Sequence, residues 1–222
     1  MASNFKAILF DMDGTLIDSE IHWVEAENNF LSHYGKTIST EWADRITGKS
    51  LFETTKIFKE LYNLPHPHEE ILAKKIECSN SVYTEKSQPM PGADKLLQYL
   101  KNIGLKLAIA SGASLERIEK VMDRFGWRNY FDELCSTDHV NFAGKPDPAV
   151  FNYAVKALNL SPSDCVVFED SINGVVAAQR AGIPCVAVID PRWSRGDFSS
   201  ADMVVGSLED KKIYDFLGIN YV

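Results

Sequence analysis

Short runs of consecutive apolar residues recur along the chain, separated by longer stretches of mixed character. The runs fall at Lys6–Phe10, Leu105–Ala110, Tyr130–Cys135, Cys165–Phe168, Cys185–Ile189 and Met203–Val205. A run without polar alternation suits a strand covered on both faces. Between the runs, Ala93–Asn102, Leu115–Phe125, Ala149–Leu158 and Ile172–Ala181 carry helical spacing. Gly104, Gly126 and Gly182 follow three of these stretches, where a helix end wants a left-handed residue. Strand alternating with helix predicts an α/β fold, a doubly wound parallel sheet. Right-handed crossovers then bring all strand C-termini to one edge, where ligands bind.

The stretch 17–86 breaks this alternation. It reads as helices over Glu20–His33, Ser50–Tyr62 and His68–Tyr83, with a loop at Asn63–His68 carrying Pro65 and Pro67. No strand pattern appears in it. The chain is therefore expected to divide into a core, residues 1–16 and 87–222, and an inserted small all-helical domain, residues 17–86. The connections are expected near Leu16–Asp18 and Lys86–Pro89.

Composition narrows the function classes. The chain has 222 residues, with 23 Lys and Arg against 31 Asp and Glu, a net charge of −8. An acidic chain has no bulk attraction to nucleic acid or anionic lipid, so neither is expected as a partner. No run approaches the roughly 18 apolar residues of a membrane span. Met1–Lys6 lacks the pattern of a signal peptide. The four cysteines, Cys78, Cys135, Cys165 and Cys185, include no C-x-x-C pair. They are read as reduced, mostly buried thiols of a cytoplasmic protein. His66 and His68 lack the company of zinc ligands.

Polar residues at the strand ends carry the chemistry. Asp11 and Asp13 follow the first apolar run, with Gly14 permitting a tight turn and Thr15 adding a hydroxyl. Paired carboxylates repel and need a cation or a shared proton. Oxygen-rich sites of this kind suit Mg²⁺. Ser111 ends the second run, and Glu169-Asp170 the fourth. Each has a plainer reading. Ser111 fits a helix cap, although Ser114 is the better candidate. Glu169-Asp170-Ser171 suits the start of the next helix. Lys145 fits a surface loop.

Taken together, Asp11-x-Asp13-Gly14-Thr15-Leu16, Ser111, Lys145-Pro146 and Glu169-Asp170 resemble the four motifs of the haloacid dehalogenase superfamily, in the family's order. The flanking strings Ile17-Asp18-Ser19-Glu20, Gly144-Lys145-Pro146-Asp147-Pro148 and Phe168-Glu169-Asp170-Ser171-Ile172-Asn173-Gly174 match as well. The resemblance covers essentially the whole chain. It is nearest to the β-phosphoglucomutase and sugar-phosphate phosphatase branch, whose Rossmann-like core carries a helical cap after the first motif.

The resemblance implies a role for each residue. Asp11 is the expected nucleophile, forming an aspartyl-phosphate. Asp13 is the expected acid and base. Asp170 is the expected direct Mg²⁺ ligand and Glu169 a direct or water-mediated one, with Asp11 and the Asp13 carbonyl beside them. Lys145, Ser111, Gly112 and Thr15 are expected to hold the phosphoryl oxygens. Asp13 separates phosphoryl transfer from dehalogenation, which needs no acid for its leaving group.

Substrate choice is expected to fall to the cap. Candidates there are His22, Trp23 and Lys49. Trp23 fits either a face for a sugar ring or the core stripe of its helix. Gly48-Lys49-Ser50 resembles the specificity loop of these phosphatases, and it fits a solvated turn equally well. A Walker-type phosphate loop fails, because Ala43 stands where that motif needs glycine. The branch's mutase carries an arginine three residues after the loop glycine, and here Leu51 stands there. Trp193, with Arg192 and Arg195, lies in a loop after the fifth run that could rim the site, and a solvated loop is the expected reading.

The expected activity is Mg²⁺-dependent hydrolysis of a small phosphorylated metabolite, a sugar or polyol monophosphate, by a monomer. A phosphomutase is the alternative. A non-catalytic module that binds a phosphorylated metabolite comes third, because a pure binder has no use for Asp13.

Overall fold

The computed structural model describes residues 5–37 and 51–221. The strands are β1 (Ala7–Phe10), β2 (Lys106–Ser111), β3 (Glu133–Ser136), β4 (Cys165–Glu169), β5 (Cys185–Val188) and β6 (Met203–Val205). They form one sheet in the order β3-β2-β1-β4-β5-β6, with every neighbouring pair parallel. This is the doubly wound sheet that the apolar runs predict.

Between β1 and β2 lie α1 (Glu20–Ser32), α2 (Leu51–Leu61), α3 (His68–Ser81) and α4 (Ala93–Asn102). Then α5 (Leu115–Phe125) precedes β3, α6 (Ala149–Ala157) precedes β4, α7 (Ile172–Arg180) precedes β5 and α8 (Lys211–Leu217) follows β6.

The central strands β1, β2 and β4 are apolar through their middles because both faces are covered, and alternation within them sorts residues between the two faces. Ile8, Phe10, Leu107, Ile109, Val166 and Phe168 enter a cluster under α4, α5 and α8. Ala7, Leu9, Ala108, Ala110, Cys165 and Val167 enter the other, under α6 and α7.

Three details differ from the pattern. β3 starts at Glu133, because Arg128–Tyr130 wind into a 3₁₀ turn. The short helix α8 was not foreseen. Asp210 accepts the Lys212 N–H at 3.0 Å at its start, and Gly218, at φ 68°, ends it. Two turns are too few for helical periodicity to stand out. Ser114 makes no side-chain cap bond. Asp138 accepts the Leu115 N–H instead, at 2.7 Å.

The inserted helices gather Phe30, Leu31, Phe58, Leu64 and Ile71 into a cluster of their own. Beyond α3 the chain continues as a π-helical turn, Val82–Lys86. Val82 and Tyr83 there, with Ile17 and Ala26, pack into the first sheet cluster. The two connecting segments pair with each other: Asp18 N–H donates to Gln88 O at 2.9 Å and Met90 N–H to Leu16 O at 2.8 Å. From α5, Arg124 donates to the carbonyls of Tyr83 (3.1 Å) and Glu85 (2.7 Å). Arg117 donates to Ser79 Oγ.

All four cysteines are free, and three are buried. Burial pushes the Cys135 thiol up to about 12 and the Cys165 thiol up to about 11. Among the described residues, no helix is long and apolar enough to cross a membrane.

Candidate active site

The sheet order sets β1 beside β4, at the point where the chain reverses the direction in which it adds strands. A crevice opens at such a point outside the strand C-termini. Asp11 N–H donates to Phe168 O at 2.9 Å, so the pairing runs one residue past β1. This register brings Asp11 to Glu169 and Asp170. Each of the three offers a carboxylate oxygen, and these atoms lie within 4.8 Å of one another. Lys145 arrives from the loop before α6, its side chain 1% exposed. Its Nζ donates to Asp11 Oδ1 and Glu169 Oε1.

Two glycines allow this closeness. Gly14 lies in the Met12–Ile17 turn at φ +76°, and a Cβ there would stand 2.0 Å from Asp170 Oδ2. Gly174, in the first turn of α7, would drive a Cβ to 1.8 Å from the Glu169 carboxyl carbon. Glu169 is fully engaged. Lys145 takes Oε1. Oε2 accepts the Asp170 and Ser171 N–H groups, each at 2.9 Å, and the Ser171 hydroxyl at 3.0 Å. Ser171 also caps α7 by accepting the Gly174 N–H at 3.0 Å.

Asp13 faces the inserted helices. Ser19 Oγ donates to its Oδ1 at 2.6 Å and Tyr83 OH to its Oδ2 at 3.2 Å. Among the described residues, buried Thr15 Oγ1 has no hydrogen-bond partner. Ser111 ends β2, next to β1, and its Oγ accepts the Ala113 N–H at 3.1 Å. The Gly112 carbonyl accepts from Thr137 Oγ1 at 3.1 Å.

Burial dominates the electrostatics. It holds the Asp11 carboxyl well above the usual range; Lys145 opposes this, while Glu169 and Asp13 add to it. Asp170 is raised well above its usual value by burial and then by the charges of Glu169, Glu20 and Asp11. Burial raises Asp13 as well, against the hydrogen bonds from Ser19 and Tyr83. Glu20 reaches about 8, through burial and the neighbouring Asp13 and Glu169 charges. Lys145 is raised despite its burial, because Asp11 and Glu169 both favour its charged form.

Among the described residues, these carboxylates outnumber the one ammonium that touches Asp11 and Glu169. Their repulsion calls for a further positive charge. An all-oxygen donor set fits a hard divalent cation, and the bonds from Lys145 and Trp193 take one oxygen each of Asp11 and Asp170.

Several participants were not singled out from sequence. Ser19 and Glu20 stood inside a matching string, which was their signal. Tyr83 lies 70 residues from Asp13 and carries no local sign. Trp193, expected in a solvated loop, is half-buried and donates from Nε1 to Asp170 Oδ2 at 3.1 Å. The loop turns it inward: Trp193 and Ser194 N–H both bond Asp190 O, and Asp190 N–H bonds Ser194 Oγ at 3.0 Å. Arg192 pairs with Asp190 instead of facing the site.

Of the cap candidates, Trp23 is half-buried, edge-on to Tyr83 with ring centroids 5.7 Å apart, and hydrogen-bonded to Glu20. His22 is half-buried in the first turn of α1. Among the described residues, no hydrogen bond joins its ring to the acidic cluster. Lys49 lies outside the described residues.

Residues 5–182 match the family model described as haloacid dehalogenase-like hydrolase. The probable pseudouridine-5'-phosphatase of Drosophila melanogaster is 36% identical over 213 residues, covering 94% of this chain and 92% of its own. Hexitol phosphatase B of Escherichia coli is 31% identical over 217 residues, covering 96% of each chain. The crystal structure of CbbY from Rhodobacter sphaeroides in complex with phosphate superposes with a TM-score of 0.81 at 29% identity. It covers 92% of this chain and 95% of that one. A sheet of this order, a motif set converging on one edge and relatives of matching length agree: the chain belongs to the haloacid dehalogenase-like hydrolases.

Proposed function

We propose that the protein is a Mg²⁺-dependent phosphatase acting on a small phosphorylated metabolite, a sugar or polyol monophosphate. One observation carries the reading: Asp11, buried and bonded to Lys145, clusters with Glu169 and Asp170 while Asp13 stands two residues away. The names of relatives, hexitol phosphatase B among them, support the substrate class. Residues 17–86 serve as the cap in this reading.

In the first step, Asp11 attacks phosphorus. The ester P–O bond breaks, and Asp13 gives its proton to the leaving alkoxide. Burial favours the protonated form of Asp13 before the step. In the second step, Asp13 takes a proton from water as that water attacks the aspartyl-phosphate, releasing phosphate and free Asp11. Lys145 holds phosphoryl oxygens and offsets the charge of Asp11. Ser111 and the Gly112 N–H bind the same oxygens, and Thr15 Oγ1 adds a donor. Glu169 fixes Lys145 and the start of α7. Asp11, Asp170 and the Asp13 carbonyl would hold Mg²⁺, which screens the phosphoryl charge when bound.

Leu51, where the mutase branch carries arginine, favours hydrolysis over mutase chemistry. The test is phosphate release from a panel of phosphorylated metabolites, with Mg²⁺ and with chelator. Mg²⁺-dependent release from sugar or polyol monophosphates supports the reading. Silence from folded protein, with interconversion of sugar phosphates under a bisphosphate activator, replaces it with the mutase.

A further inference from the structure

One contact at the acidic cluster comes from outside the motif residues. Trp193, in the loop after β5, donates from Nε1 to Asp170 Oδ2 at 3.1 Å. Several contacts hold the indole in place. Asp190 O accepts the Trp193 and Ser194 N–H groups at 3.1 and 2.8 Å. Ser194 Oγ donates to Asp170 O at 3.4 Å. The Arg192 guanidinium lies over the ring, 4.6 Å from its centroid, and is itself held by Asp190. Farther along, Gly196, at φ +96°, passes so close to Ile172 of α7 that a Cβ would stand 3.1 Å from Ile172 Cδ1. The ring also packs against the first sheet cluster. An indole nitrogen only donates, so the packed ring sets the orientation of the carboxylate.

The cluster shows a pattern of occupied and open oxygens. Lys145 occupies Asp11 Oδ1 and Glu169 Oε1. Glu169 Oε2 accepts from the Asp170 N–H, the Ser171 N–H and the Ser171 hydroxyl. Trp193 occupies Asp170 Oδ2. Gly14 crowds the same oxygen, since a Cβ there would lie 2.0 Å from it. Among the described residues, Asp11 Oδ2 and Asp170 Oδ1 accept no hydrogen bond, so each of these carboxylates keeps one open oxygen. Ca²⁺ takes about six to eight oxygens and readily binds both oxygens of one carboxylate. Mg²⁺ is smaller and demands near-ideal octahedral geometry. A carboxylate limited to one oxygen suits Mg²⁺ and handicaps Ca²⁺.

We propose that Trp193 is a positioning residue that confines Asp170 to ligation through one oxygen, and so selects Mg²⁺ over Ca²⁺. This rests on the metal assignment within the phosphatase reading. A dication on Oδ2 would meet the positive end of the indole N–H at short range, with the Arg192 charge over the ring. Turning the carboxyl to present both oxygens would break the indole bond and leave a half-buried donor unpaired. Lys145 restricts Asp11 in the same way, but it also holds phosphoryl oxygens in the proposed mechanism. Trp193 is the restraint that can be changed by itself.

The test is titration calorimetry of the protein, first stripped with chelator, against MgCl₂ and CaCl₂, in wild type and in Trp193→Phe. Phenylalanine keeps an aromatic ring and loses the N–H. Melting curves confirm folding. Wild type should bind Ca²⁺ no more tightly than Mg²⁺. In Trp193→Phe, Mg²⁺ should weaken by less than about tenfold while Ca²⁺ tightens, moving the ratio of affinities toward Ca²⁺ by about tenfold. Lost packing alone would weaken both cations alike, so an unchanged ratio in the folded variant overturns the role of Trp193. Wild type that binds Ca²⁺ more tightly than Mg²⁺ overturns it without any variant. Binding of neither cation overturns the metal assignment and this proposal together. Calorimetry needs no substrate, so silence on every phosphate ester would remove the phosphatase reading while the measured ratio still decides the role of Trp193.

Discussion

Phe142, in the loop three residues before Lys145, stacks on Phe52 of α2, with ring centroids 5.0 Å apart and planes inclined by 22°. The contact ties that loop to the inserted helices. It is made from an unusual backbone: Asn141 and Phe142 are consecutive left-handed residues, at φ 53° and 61°. A bulky residue there is strained by about 1 kcal/mol, and an aromatic pair returns about 0.5–1.5 kcal/mol. Phe142→Gly removes both and is expected to stay near wild-type stability. Phe142→Ala keeps the strain and loses the stack, so it should be less stable than the glycine variant by about 1 kcal/mol. Urea denaturation of the three proteins ranks them; alanine equal to or above glycine argues against strain.

Asp11→Asn should lower turnover on the order of 10³-fold or more while circular dichroism and melting show a folded protein. Glu169 still partners Lys145 in that variant, so no buried ammonium is stranded. Phosphate release near the wild-type rate would remove Asp11 as nucleophile.

Asp13→Asn should separate substrates by leaving group. An alkyl ester needs a proton on its departing oxygen and should lose about 10²- to 10⁴-fold. An aryl ester with a good leaving group should lose far less in the first step. Equal losses on sugar phosphates and p-nitrophenyl phosphate in single-turnover kinetics would count against the acid role.

Chelator should silence the enzyme, and Mg²⁺ should restore it. Asp170→Asn should raise the Mg²⁺ concentration needed for half-maximal rate by about tenfold or more. Trp193→Phe, which loses the bond to Asp170 Oδ2, should shift it in the same direction by less. Rates independent of Mg²⁺ after exhaustive chelation would refute the metal assignment.

Part of the stability lost on acidification should come from Asp132. It accepts the Leu107 N–H at 2.9 Å and two bonds from Lys101 at 3.0 Å, beside the starts of β2 and β3. Burial pushes its carboxyl up, but the Leu107 N–H and Lys101 outweigh this and leave it below 3.8. A carboxyl lowered on folding stabilises the fold above its unfolded pKa, and that contribution fades as pH falls through the folded one. Asp132→Ala should therefore cost about 1 kcal/mol at neutral pH, allowing for its exposure. The difference from wild type should shrink below about pH 4. A constant difference across that range would mean that the carboxylate charge contributes nothing.

Much of the fold was legible along the chain. Runs such as Lys6–Phe10 and Cys165–Phe168 have no polar alternation because helices cover both faces, and that pattern survives in one dimension. Asp11, Asp13, Ser111, Lys145 and Glu169-Asp170 were legible because each stands just past a strand or in a short string of distinctive chemistry. The helix α8 was not, since two turns carry too little periodicity. Trp193 was misjudged because its neighbours are charged, and only the fold of the Asp190–Ser194 turn aims it at Asp170.

The sequence by itself determined the alternation of strand and helix, the helical insert after the first strand and the identity of the residues at the sheet edge. These depend on contacts between near neighbours, which composition and spacing record. Only the tertiary structure decided that β4 lies beside β1, that Tyr83 reaches Asp13 across 70 residues, and that Lys75 is buried against Glu27. Pairing, burial and the loss of solvation depend on what surrounds a group in space, and a linear order of residues carries no record of that enclosure.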